Sequence, residues 1–240
     1  MIGSKTVLAV VPARGGSQGI PLKNLREVGG RPLVARAGDV VRGIPEIDRA
    51  IVSTDHDEIA RVAKGAGLDA PFMRPPEIAG SRIGDFDVLI HALEACEKVD
   101  NRRYDIVVML QPTSPLRTPT QVSDTIRMLV DGNWDSVWTV SPTDSKAHPL
   151  KQLTVAAEGS LDYYDARGAE IIARQQLAPL FHRNGIAYAM TRDCLARQRS
   201  IFGVRRGALV IEGEHVSIDT EWDIELVEFI LARRARGGNG

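Results

Sequence analysis

The strongest constraint on this chain is a short apolar run, Val7–Val11, that breaks at once into Pro12-Ala13-Arg14-Gly15-Gly16-Ser17-Gln18-Gly19-Ile20-Pro21-Leu22-Lys23-Asn24. A strand without polar alternation, here Lys5–Pro12, is one covered on both faces, the habit of parallel strands in α/β folds. Further strand-sized runs stand at Asp48–Ser53, Ile106–Leu110, Ser136–Val140 and Gly185–Met190. Between and after them, apolar residues recur at helical spacing over Arg31–Arg42, Asp57–Gly67, Asp85–Val99, Gln121–Asp131 and Thr220–Arg234. The alternation predicts βαβ units and a mostly parallel sheet sandwiched by helices, in one domain spanning residues 1–240. His148–Arg174 interrupts the pattern with polar, turn-rich sequence, which reads as an excursion from the sheet, either a lid or an oligomerisation arm. There is no internal repeat, and Gly237–Gly240 read as disordered.

Composition narrows the function. The 240 residues are 43% hydrophobic and 25% charged with a formal net charge of −1, so no global basic field draws the chain to nucleic acid or to an anionic membrane. No apolar run approaches the roughly 20 residues of a membrane span, and no secretory signal opens the chain. Cys96 and Cys194 lie far apart without metal or redox spacing and read as reduced thiols, which suits the cytoplasm. The histidines lack zinc spacing, and no GxSxG marks a covalent nucleophile.

Three stretches carry chemistry. In Pro12–Asn24, glycines beyond a buried strand let backbone N–H groups approach a polyphosphate, and Arg14 and Lys23 bring charge; spacing alone allows a tight solvated turn with two surface cations equally well, and the two cations flanking glycines straight after the first strand favour a nucleotide. The loop is neither a Walker loop nor a dinucleotide fingerprint, since the closing Gly-Lys-Ser/Thr and the GxGxxG spacing are both absent. In Leu110–Thr118, Gln111 offers a donor and an acceptor to a base edge or a sugar, while Thr118 reads as the cap of a helix opening at Pro119. In Ser217–Asp223, an acidic cluster before a helix can hold magnesium, while a capping box with Asp219 or Thr220 as N-cap is the plainer reading of the residues alone. Two weaker groups are the polar turn Ser53-Thr54-Asp55, and Arg174-Gln175-Gln176 with His182-Arg183-Asn184-Gly185, which reads as an acidic-substrate site or an ordinary solvated loop.

Taken in order, PARGGSQGIPLKN, IVSTD, RPPEIAG, LQPTSPLRT, HPLK, RQQ, NGIAY and SIDTEWD resemble the acylneuraminate cytidylyltransferase family, the CMP-sialic acid synthetases, over nearly the whole chain. The resemblance implies a Rossmann-like nucleotidyltransferase domain with an inserted arm, about residues 142–178, that makes a homodimer and lends residues to the partner's site. It implies that Arg14 and Lys23 hold the triphosphate of CTP, helped by the backbone of Gly15, Gly16 and Ser17, and that Asp219 binds magnesium. Asn24, Arg74, Asp85 and Gln111 fall at nucleotide-contacting positions. Lys151, Arg174, Gln175, Asn184, Tyr188 and Phe202, with Gln111, fall on the sugar-acid side. The implied reaction joins CMP to the anomeric hydroxyl of a nonulosonic sugar acid and releases pyrophosphate; nucleotidyl transfer to a 3-deoxy-octulosonic acid or another sugar, and a non-catalytic nucleotide-binding regulator, are the alternatives.

Four positions depart from the family pattern. Gln18 stands where Lys is frequent, and Ser217 where a second aspartate precedes the metal-binding one, so that Asp223 becomes the candidate second carboxylate. Asp85 replaces a small hydroxyl residue near the cytosine. His182-Arg183 replaces Arg-Pro before Asn-Gly, in the region facing the sugar, which points to a sugar acid other than N-acetylneuraminate.

Overall fold

The computed structural model describes residues 1–237. In chain order its elements are β1 (Val7–Pro12), β2 (Glu27–Val28), β3 (Arg31–Pro32), α1 (Leu33–Val41), β4 (Arg49–Ser53), α2 (Asp57–Gly65), α3 (Asp85–Asp100), β5 (Ile106–Met109), α4 (Pro119–Asp131), β6 (Ser136–Pro142), β7 (Leu153–Val155), β8 (Leu161–Tyr163), β9 (Phe181–Thr191), α5 (Arg192–Ala196), β10 (Arg206–Val210) and α6 (Glu221–Gly237). Gly237 therefore closes a helix instead of opening a disordered tail, and residues 238–240 lie outside the described residues. No described helix is long and apolar enough to cross a membrane.

Six strands form one sheet in the order β10-β6-β9-β5-β1-β4. Strand β1 pairs in parallel with β4 on one side and β5 on the other, and β10 runs parallel to β6. The apolar run of β1 is buried on both faces as its composition requires. Val7, Ala9 and Val11 meet α1, α2 and α4 on one side through Val34, Ile59 and Ile126. Leu8 and Val10 meet α3 and α5 on the other through Leu89, Leu93 and Leu195. Each Val, Leu or Ile among them taken fully from water contributes about 1.5–3 kcal/mol. Helix α6 lies apart, packing Ile224, Val227 and Ile230 on Ile20, Val28 and Leu33, so the last helix braces the loop after β1.

Strand β9 is antiparallel to both neighbours. The reason is topological. β6 leaves the sheet at Pro142 and the chain returns at Phe181, which pairs with Pro142, so the returning strand enters at the end where β6 exits. Residues 143–180 stand outside the sheet as short 3-10 turns and a β7–β8 hairpin, with Leu153, Val155, Leu161, Tyr163, Tyr164 and Ile172 exposed.

The structure moves expected boundaries, with β9 reaching from Phe181 to Thr191 where Gly185–Met190 was expected, and adds short elements. Arg31 and Pro32 pair with Glu27 and Val28 across Gly29-Gly30, both at positive φ (56° and 67°), so the helix begins at Leu33. Strand β10 and α5 had no sequence signal. β10 reads Arg-Gly-Ala-Leu-Val and pairs on one side only, so an edge with alternating partial exposure replaces the apolar run of a central strand.

Candidate nucleotide-binding cleft

Strand β1 sits between β4 and β5, so the strand order reverses there, and the crevice beyond the carboxyl ends of such strands is where open α/β sheets bind ligands. A cleft of about 570 Å³ lies at that place, lined from the loop after β1, the segment before α3, the loop after β5 and the approach to α6. The loop after β1 is drawn closed by Asn24, whose Nδ2 donates to the Arg14 carbonyl at 2.9 Å. Leu22 holds φ 48°, left-handed backbone that costs a side-chain-bearing residue about 1–2 kcal/mol and marks stored strain in this loop. The loop also lies tightly on its neighbours. Gly15 donates its N–H to Asp55 Oδ1 at 2.8 Å, and a Cβ on Gly15 would stand 2.9 Å from the His56 ring. A Cβ on Gly19 would stand 2.7 Å from the Asp219 carbonyl oxygen.

Three cations line the cleft. Lys23 Nζ donates to Ile218 O and Asp219 Oδ1, both at 2.8 Å, and Arg14 donates across the mouth to Gly80 O at 2.9 Å. Arg74 is buried, 6% exposed, and donates to the Ser53 hydroxyl at 3.1 Å and to the Ser53 carbonyl. Burial lowers the Arg74 pKa; Asp55 and Asp85 act against that, while Arg14 adds to it. Asp85 is pushed the other way, its pKa raised by burial against the pull of Arg183 and Arg74. Cations gathered so closely repel one another, and a bound polyanion relieves that repulsion.

Gln111 follows β5 and is fixed through its backbone. Its N–H donates to Gly185 O at 3.3 Å, and its carbonyl accepts from Ser114 N at 3.1 Å and from the Arg117 guanidinium. Arg117 is buried with only carbonyl partners, those of Gln111, Gly185 and Ile186, and burial pushes its pKa down to about 9. Gly185 holds φ +71°, and a Cβ there would stand 2.5 Å from Gln111 Oε1, so this glycine leaves the amide its room. Thr118 caps α4 in a capping box with Gln121, the helix-entry role read from the sequence.

A model of the cytidylyltransferase family matches residues 8–232. The chain belongs to that family. This cytidylyltransferase is 30% identical over 229 residues to a CMP-N,N'-diacetyllegionaminic acid synthase of Legionella pneumophila, covering 94% of this chain and 96% of that protein. It is 29% identical over 220 residues to an N-acylneuraminate cytidylyltransferase of Streptococcus agalactiae, covering 90% of this chain and 51% of that longer protein. Its fold matches a CMP:2-keto-3-deoxy-manno-octonic acid synthetase solved with CTP, at a TM-score of 0.69 and 18% identity over 96% of this chain and 100% of the other.

Of the residues expected at the site, Arg14, Ser17, Lys23, Asn24, Arg74, Asp85, Gln111 and Asp219 line the cleft of this cytidylyltransferase. Gly15 and Gly16 belong to the same loop without lining it. Asp223, expected as a second metal ligand, is instead a helix cap: its Oδ2 accepts from Asp219 N (2.9 Å), Thr220 N (2.7 Å) and Thr220 Oγ1 (2.8 Å), while Thr220 Oγ1 accepts from Asp223 N at 3.3 Å. Asp219 is different. Its carboxylate is 76% exposed and its Oδ1 meets Lys23. Among the described residues no group of three or more His, Cys, Asp or Glu is placed to hold a metal, so a protein cage is excluded within them. One exposed carboxylate facing a phosphate-sized cleft fits a hard divalent cation held jointly with substrate phosphates and water.

Apart from Gln111, the expected sugar-side residues do not line the cleft. The Asn184 side chain is spent inside the sheet, accepting from Thr139 Oγ1 (2.6 Å) and Ile186 N (3.2 Å) and donating to Ser141 Oγ (3.1 Å). Tyr188 is 2% exposed, and its hydroxyl accepts from Gly185 N at 2.8 Å. Both therefore support the walls of the site instead of facing a ligand. Phe202 is 43% exposed and packs its ring on Trp138. Lys151, Arg174 and Gln175 sit on the excursion between β6 and β9, exposed and away from this chain's own cleft. Gly80, Ser81 and Thr113 line the cleft without having been expected there, because small residues in irregular loops carry no periodic signal.

Proposed function

We propose that this cytidylyltransferase joins CMP from CTP to the anomeric hydroxyl of a nonulosonic, sialic-type sugar acid and releases pyrophosphate. The observation that carries the reading is the convergence of Arg14, Lys23 and Arg74 on one cleft with the uncharged Gln111, at the switch point of a cytidylyltransferase sheet. The names of the relatives from Legionella pneumophila and Streptococcus agalactiae support the class of sugar acid.

In this mechanism the loop after β1 seats the triphosphate. Arg14 leaves the Gly80 carbonyl and Lys23 turns from Asp219 towards phosphate oxygens, so two cations already in place balance the charge that develops on pyrophosphate as it leaves. Donors preorganised in this way contribute about 3–4 kcal/mol each when they act only on the transition state. Gln111, held by Arg117 and given room by Gly185, reads donor and acceptor groups of the base or sugar. The sugar's anomeric oxygen forms its bond to the α-phosphorus as the bond to pyrophosphate breaks, and the hydroxyl proton passes to water. Magnesium is the proposed cofactor, with Asp219 as its protein ligand; when bound it neutralises phosphate charge.

The excursion between β6 and β9 is proposed as a dimerisation arm. Its exposed Leu153, Val155, Leu161 and Ile172 are the kind of surface a second copy covers, and a homodimer would bring Lys151, Arg174 and Gln175 to the partner's cleft. Light scattering of the purified protein tests this: a dimer supports the arm's role and a monomer refutes it.

The deciding experiment is pyrophosphate release with CTP and magnesium against N-acetylneuraminate, legionaminate, pseudaminate and 3-deoxy-octulosonate, with ATP, GTP and UTP as controls. Turnover of a nonulosonic acid with CTP is the expected result. Turnover of the octulosonate alone, or CTP binding without any turnover, would overturn it.

A further inference from the structure

Beside the cleft, β9, β6 and β10 present a shelf of rings and cations that the chemistry above leaves unused. The register sets Trp138 beside Tyr188 on β9 and Ala208 on β10, Ser136 beside Arg206, and Val140 beside Arg183. Paired residues share a face of a sheet, so Arg183, Trp138, Tyr188 and Arg206 stand on one side, the side that Leu89 and Leu93 of α3 also cover. Trp138 packs on Tyr188 and on Phe202, each at 4.9 Å between ring centroids.

Two guanidinium groups stand on this aromatic floor. The Arg183 guanidinium carbon lies 5.6 Å from the Trp138 ring centre, and that of Arg206 lies 4.5 Å from the Phe202 ring centre. Both residues are exposed. Neither side chain has a hydrogen-bond or ion-pair partner among the described residues. Arg31, Arg61, Arg167 and Arg192, by comparison, each hold a carboxylate. A ring under the guanidinium restrains the side chain while leaving its N–H edge free for a planar, bidentate acceptor.

Arg183 is the cation that adjoins the cleft. Two residues on, Gly185 leaves room for the Gln111 amide, and the charge of Arg183 is felt at Asp85, which lines the cleft beside Arg74.

We infer that Arg183 is a specificity-determining residue for the acid substrate, its guanidinium, restrained on the Trp138 ring, holding the carboxylate of the sugar acid. The inference rests on the cytidylyl transfer proposed above. It adds the group that distinguishes an acid from a neutral sugar. A charge-assisted bidentate contact of this kind corresponds to about a 10- to 100-fold change in substrate affinity.

The test uses the full-length enzyme with a sugar acid that the wild type turns over and with the same compound as its primary carboxamide. For the acid, Arg183→Ala should raise KM about 10- to 100-fold, with KM for CTP and kcat nearly unchanged, and Arg183→Lys should recover part of the loss. The carboxylate-over-carboxamide preference in kcat/KM should collapse towards one in Arg183→Ala. Comparing that ratio between the two proteins cancels any difference in the intrinsic reactivity of the compounds. Arg197→Ala, which removes an exposed side chain paired only with Asp193, serves as the surface control. Equal losses on acid and carboxamide would mean a structural role, and an unchanged KM for the acid would mean no role; either overturns the inference while leaving the function standing. A wild type silent on every sugar acid would sink the function and this inference together.

Discussion

Replacing Gly19 by alanine tests whether the loop after β1 and the Asp219 segment work as one unit. The added Cβ would stand 2.7 Å from the Asp219 carbonyl oxygen, well inside the 3.4 Å at which contact becomes ordinary, so the two backbones must part by roughly 0.7 Å. A flexible side chain would swing aside, but the obstacle is backbone. It is tied to Lys23 through the 2.8 Å bonds from Nζ to Ile218 O and Asp219 Oδ1. Gly19 has no positive φ, so the cost is steric and not conformational. Overpacking of this kind costs about 1–3 kcal/mol of stability. Misplacing catalytic groups by about 1 Å costs near 10²-fold in rate, so kcat/KM for CTP should fall about 10- to 100-fold. Urea unfolding and steady-state kinetics on the same preparation measure both. Gly65→Ala is the control: it closes α2, has open space at its Cβ, and should gain up to about 1 kcal/mol with unchanged activity. A Gly19→Ala enzyme with wild-type stability and wild-type kcat/KM would refute the claimed contact between loop and Asp219.

Other outcomes follow from single side chains. Arg14→Ala and Lys23→Ala should each lower kcat/KM about 10²-fold or more while circular dichroism shows a folded protein, since each is a preorganised cation on the leaving group; wild-type turnover in both would remove the phosphate assignment. Glu97 is partly buried, which raises its pKa, but the bidentate Arg192 guanidinium (2.8 and 2.9 Å) and the Tyr104 N–H (3.1 Å) outweigh burial and hold it below the usual carboxylate range. Its contribution is therefore present above the unfolded-state value of about 4.3 and is lost as pH falls through the lower folded value. Glu97→Gln should flatten the fall in stability between about pH 5 and pH 3, measured by urea midpoints across that range. Burial pushes the Cys96 and Cys194 thiols up to about 12, so neither should react with iodoacetamide at pH 8 until urea unfolds the chain. Rapid alkylation of the native protein would contradict that burial.

The βαβ alternation and the placing of the glycine loop at the end of β1 were legible in residue order, because both depend on local periodicity and on turn-forming residues. The cap at Thr118 was legible for the same reason, though its reciprocal contact with Gln121 was not. The acidic stretch before α6 was ambiguous in sequence, and the structure divides it. Asp223 is spent on backbone and hydroxyl donors of the helix start, whereas Asp219 faces Lys23 and the cleft. The sugar-side residues were placed by resemblance alone, and the polar partners of Asn184 and Tyr188 turn out to lie within the sheet.

What local sequence settles here is which segments are strands and helices and where glycine, proline and cations cluster. Those properties depend on neighbours a few residues apart. Tertiary structure alone decides that Lys23 meets Asp219, that Gly19 rests on the Asp219 carbonyl, and that the unpaired Arg183 stands on Trp138 beside the cleft. Each is a contact between residues far apart in the chain, fixed by strand order and helix packing, and it therefore leaves no periodic trace in either partner's own segment.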